Sequence, residues 1–156
     1  GALRAELTLA GANALFLPHV LRYNAALPTK FMPAPGYSAY VAPDKYSQLG
    51  RILFGGHTET EQRERLFTKV DELITTLHLP HSLAEVGVSR AEFDAAIPEL
   101  ARAGYADPSM RTNPRMPLIS ELVGLLEAAW SGGVPAAAHS TIPQQAAALH
   151  VGFAKT

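Results

Sequence analysis

Three times between Thr58 and Glu92 the chain places Ser or Thr three positions ahead of Glu: Thr58 with Glu61, Ser82 with Glu85, Ser89 with Glu92. In such a pair the hydroxyl accepts from the amide of the third helical residue, and the Glu carboxylate reaches back to the first amide. Each pair is therefore a helix start. Stops follow at Gly55-Gly56, Pro80, Gly87 and Gly132-Gly133, because glycine enters the left-handed region cheaply and proline has no amide to continue a helix. No segment shows the sustained period-two alternation of a half-buried strand, and no internal repeat is present. These signals predict an all-α fold, an irregular multi-helix bundle.

Periodicity assigns the helices. Leu7 to Ala25 places Leu9, Leu17, Val20 and Leu21 at helical spacing, with Pro18 removing one backbone donor. The cluster Pro28, Pro33, Pro35 and Gly36 makes residues 26 to 42 a long loop, anchored by Tyr37 and Tyr40. Asp44 to Phe54 is a short helix presenting Tyr46, Leu49, Ile52 and Leu53. From Thr58 onward Leu66, Val70, Leu73, Ile74 and Leu77 fall on one stripe. Ser82 and Glu85 predict a one-turn helix, Ser89 and Glu92 a helix from about Arg90, and Pro98 the first position of a separate one. Leu118 to Trp130 is the last strong helix, with Leu122, Leu125, Leu126 and Trp130 as its buried face. Residues 1–133 form one helical domain in this reading. Residues 134–156, rich in Ala and broken by Pro135 and Pro143, form a weakly ordered tail with one helical turn at Gln144 to Leu149.

Composition limits the function. The chain has 156 residues, 47% of them apolar, enough for one self-sufficient core. With 13 basic against 14 acidic residues, no broad attraction to nucleic acid or to an anionic membrane surface is expected. Cysteine is absent, which removes disulfides, thiolate metal sites and a Cys nucleophile. Apolar runs end well short of the ~20 residues a bilayer span needs, and no secretory signal precedes the first helix. A cytoplasmic protein is the default expectation.

The six histidines do not combine into a site. His78 and His81 straddle Pro80, which breaks the helix that would align their rings. His57 lies in a Gly-rich turn, and His139 and His150 lie in the tail. His19 reads as a packed or hydrogen-bonded core histidine that could border a cleft. Asp71, Glu72, Glu121 and Glu127 read as solvated-face carboxylates, since spacing pairs none of them to share a proton or a metal.

Two stretches carry a family resemblance. Asn113-Pro114-Arg115-Met116-Pro117-Leu118-Ile119-Ser120-Glu121-Leu122, together with the upstream run from Ala12 to Ala25, resembles the iron-dependent alcohol dehydrogenases. The resemblance is nearest to the alcohol dehydrogenase half of bifunctional aldehyde-alcohol dehydrogenases and covers about Ala12 to Trp130. Arg22, Tyr23 and Asn24 match the family's helix end; Pro28-Thr29-Lys30 resembles the loop of its bifunctional branch. Each matched side chain also has a plain structural reading: Asn113-Pro114 starts a turn, Arg115 pairs with a helix carboxylate or carbonyl, and Tyr23 packs in the core.

The resemblance implies iron (or zinc) and NAD(H) for a complete enzyme, and a helical region that walls the substrate cleft. His19 and Ser109 are the positions it suggests for that wall, Ser109 standing where relatives often carry cysteine. It also implies a metal-ligating histidine where this chain has Leu9, and leucine has no lone pair to give. No Gly-rich strand-turn-helix fingerprint for a dinucleotide is present. No catalytic, cofactor-binding or metal residue is therefore assigned, and the chain alone is expected to hold no cofactor. The expected function is the C-terminal helical part of an NAD(H)-linked, iron-dependent alcohol dehydrogenase, without its nucleotide-binding domain and inactive alone. That domain is one expected partner and a second copy of this chain is another. The alternative is a non-catalytic helical oligomerisation or interaction module.

Overall fold

In a computed structural model the described residues, 9–28 and 40–133, form five α-helices and one 3-10 helix, and none of them lies in a strand. The helices are α1 (Leu9–Ala25), α2 (Ala42–Phe54), α3 (Glu59–Thr76), α4 (Arg90–Ala106) and α5 (Ile119–Ser131), with the 3-10 helix Pro108–Thr112 between the last two. The all-α expectation holds. Expectations for Leu7, Thr8, residues 29–39 and the tail after Gly133 fall outside the described residues.

The starts use the chemistry that the sequence announces. Thr58 Oγ1 accepts from the Glu61 amide at 3.1 Å. At α4 the Ser89–Glu92 pair forms the full reciprocal box. The Ser82–Glu85 pair also forms, Ser82 Oγ accepting from the Glu85 amide at 3.0 Å, but only a turn follows rather than the expected helix. The Gly87 and Val88 amides close back on the Ala84 and Leu83 carbonyls at 3.0 Å each, and Gly87, at φ 89°, ends the turn at once. The Leu83 and Ala84 amides, which a helix start leaves free, cap α5 by donating to the Ala129 and Trp130 carbonyls at 2.9 and 3.2 Å.

Pro98 is the second correction: it lies inside α4, which runs unbroken from Arg90 to Ala106. One intrahelical bond is lost there. Phe93 and Ala101 on either side of it are 2% and 1% exposed, and packing of α4 on α5 holds the helix through the defect.

α2 pairs with α3, α4 pairs with α5, and α1 crosses between the two pairs, touching α2, α3 and α5. The core is Leu15 of α1, Leu66, Phe67 and Ile74 of α3, Phe93 and Ala101 of α4, and Leu125, Ala128 and Ala129 of α5. α2 turns its small face inward: Ala42, Pro43, Ser47 and Gly50 are buried. Of the face that the sequence reading presents, Leu49, Ile52 and Leu53 are 44%, 74% and 56% exposed, while Tyr46 is half-buried edge-on against Phe67. The inversion follows from the close approach of the two backbones. A Cβ on Gly50 would stand 1.9 Å from the Gln62 carbonyl oxygen, so nothing larger than glycine fits between α2 and α3. Leu73 and Leu77 likewise leave their stripe for solvent, and Leu122, Leu126 and Trp130 are half-buried around the buried Leu125.

Candidate functional site

The residues that match between the two motif stretches meet in space. At the C-terminus of α1 the Arg115 guanidinium donates to the Tyr23 carbonyl at 2.9 Å and to the Glu121 carboxylate at 3.0 Å. It also stacks 4.0 Å from the Tyr23 ring centroid. Glu121 Oε2 accepts from the Tyr23 hydroxyl at 3.0 Å and from the Leu118 amide at 2.7 Å. Asn24 and Asn113 exchange amide hydrogen bonds at 3.0 and 2.9 Å, and Asn113 also donates to the Arg115 carbonyl at 2.6 Å. Tyr40 closes the group by donating to the Asn24 carbonyl at 2.6 Å.

This knot joins the end of α1 to the start of α5. A cation sits at a helix C-terminus and a carboxylate at a helix N-terminus, each the favourable partner of the local dipole. Burial, then the neighbouring Glu121 charge working against Arg115, pushes the Tyr23 phenol well above its ordinary range, so it stays a neutral donor. Glu121 is therefore not a solvated-face carboxylate: it is the shared acceptor of Arg115, Tyr23 and a backbone amide. Asp71 and Glu127, with side chains 41% and 38% exposed, keep the solvated-face reading while pairing with Arg22 at 2.5 Å and with Arg90 at 2.7 Å. The local spacing of Arg115 and Glu121 hinted at one of these pairs. Nothing local announces Arg22 with Asp71, or Asn24 with Asn113, because segments far apart in sequence supply them.

His19 is 6% exposed, and its Nδ1 atom has no hydrogen-bond partner. A buried polar atom left so costs about 1–3 kcal/mol. The ring borders a recess of about 150 Å³ between α1 and α3, with Leu15, Arg22, Asp71, Ile74 and His81 among the other lining residues. Burial, and then the Arg22 charge, lowers the pKa of His19 against an opposing pull from Asp71, which favours the neutral imidazole. Ser109 lies elsewhere, exposed in the first turn of the 3-10 helix, where its amide donates to Asp107 Oδ1 at 2.8 Å and its hydroxyl donates to the same oxygen. Those two bonds hold the Asp107 carboxyl below its usual range. His19 and Ser109 are thus not part of one cluster.

The metal chemistry finds no purchase on these helices. Among the described residues no group of three His, Asp or Glu could hold an ion. His81 bonds Thr75 Oγ1 at 3.2 Å, and Asp71 is taken by Arg22. The described residues do not fit an iron centre. No described helix is long and apolar enough to cross a membrane.

Comparison with known proteins agrees with this geometry. The chain is 34% identical over 119 residues to the bifunctional aldehyde-alcohol dehydrogenase of Escherichia coli, covering 74% of this chain and 13% of that protein. It is 31% identical over 121 residues to an aldehyde-alcohol dehydrogenase of Streptococcus pneumoniae, covering 77% of this chain and 14% of that protein. It is 30% identical over 122 residues to the lactaldehyde reductase of Escherichia coli, covering 76% and 27%. The chain thus spans only a small part of the length of these relatives. Residues 5–130 match the pattern of the Fe-containing alcohol dehydrogenase family, C-terminal part, a stretch that holds most of α1 to α5 and every residue of the knot. The chain belongs to the iron-containing alcohol dehydrogenase family, as a member of its C-terminal, all-helical part.

Proposed function

We propose that these helices serve an alcohol dehydrogenase that interconverts alcohols and aldehydes with NAD(H). In this reading they wall the substrate cleft, while residues outside the described helices hold nucleotide and metal. The observation that carries it is the family match over residues 5–130, together with relatives named for alcohol and aldehyde chemistry. The division of labour rests on the described residues, which offer neither a metal-ligating trio nor a Gly-rich strand-turn-helix. Iron, when bound in such an enzyme, polarises the substrate oxygen. The task of this chain is to present a rigid wall, and the Arg115 knot fixes α1 against α5 for it. His19 and Ser109 remain the wall positions suggested by the resemblance. A nucleotide-binding domain is the partner this reading requires, in the cytoplasm where NAD(H) is supplied.

The test is a fluorescence titration with NADH and a turnover assay with ethanol and NAD on the isolated chain. No saturable binding and no turnover are expected. Saturable micromolar NADH binding would overturn the division of labour. The alternative, a helical module that associates with itself, draws on the outer face of α2 and on Leu17, which is 43% exposed on α1. Light scattering across a concentration series tests the alternative, which requires self-association and is removed by a strictly monomeric mass.

A further inference from the structure

We draw no further inference here: the strongest candidate, the outer apolar face of α2 formed by Leu49, Ile52 and Leu53, is exposed, and nothing in the structure shows what covers it.

Discussion

Replacing Arg115 with alanine should be among the most damaging single changes in this domain. The side chain is 5% exposed and does three things at once. It donates to the Tyr23 carbonyl at 2.9 Å, pairs with Glu121 at 3.0 Å, and stacks on the Tyr23 ring at 4.0 Å. Removing one partner of a buried ion pair costs about 3–5 kcal/mol, because the other charge stays buried without compensation. Glu121 keeps the Tyr23 hydroxyl and the Leu118 amide, and its side chain is 20% exposed, so the lower end applies. The lost ring stacking adds about 1 kcal/mol. Equilibrium urea unfolding of Arg115→Ala should therefore show a loss of about 3–4 kcal/mol. Arg115→Lys should recover less than half, since an ammonium cannot hold the carboxylate and the helix end in one planar fork. A loss below about 1 kcal/mol for the alanine variant would refute the keystone role, because that is the range of exposed ion pairs.

Gly50→Ala should cost at least about 2–3 kcal/mol, since its Cβ would stand 1.9 Å from Gln62 O, whereas Gly104→Ala, with nothing closer than 3.9 Å, should be neutral or stabilising; urea midpoints of the pair decide it. Trp130, half-buried, stacks on Phe93 at 5.9 Å and donates to the Val88 carbonyl at 3.1 Å. Trp130→Ala should cost about 3 kcal/mol, the low end for an aromatic truncation, and near-native stability would mean the ring belongs to an interface. His19, whose pKa is lowered in the fold, binds its proton more readily in the unfolded chain. Stability should therefore be fully present above pH 6.5, the ordinary value for His, and fall as the pH drops through it. Unfolding of the wild type and His19→Leu at pH 7.5 and 5.5 should show a smaller drop for the variant, and equal drops would contradict the assignment.

Helix existence was legible where local chemistry decides it. Thr58, Ser89 and Gly132 mark ends that the structure places within a residue or two, because a cap is made by neighbours in sequence. What escaped was decided between helices. Leu49, Ile52 and Leu53 form a good apolar stripe, yet Gly50 and Ser47 win the inner face because only small residues let the α2 and α3 backbones approach. Pro98 is a strong local helix start, yet burial of Phe93 and Ala101 carries α4 across it. Ser82 forms its expected bond and still starts no helix, since the left-handed Gly87 closes the chain after a single turn. In the site, the helix motif around Tyr23 and the turn motif around Arg115 were each visible, but not that they face each other. That meeting depends on α1 crossing to the start of α5.

Transplantation is the most direct measurement of the cleft-wall role. Residues 12–130 would replace the matching stretch of the Escherichia coli lactaldehyde reductase, leaving the rest of that enzyme in place, and reduction of lactaldehyde with NADH supplied would be followed. The helices, if they wall an alcohol or aldehyde cleft, should support turnover in the folded chimera, with Arg115→Ala lowering both its melting temperature and its kcat. A chimera that melts cooperatively and binds NADH yet gives no turnover with lactaldehyde, acetaldehyde or ethanol would contradict the account.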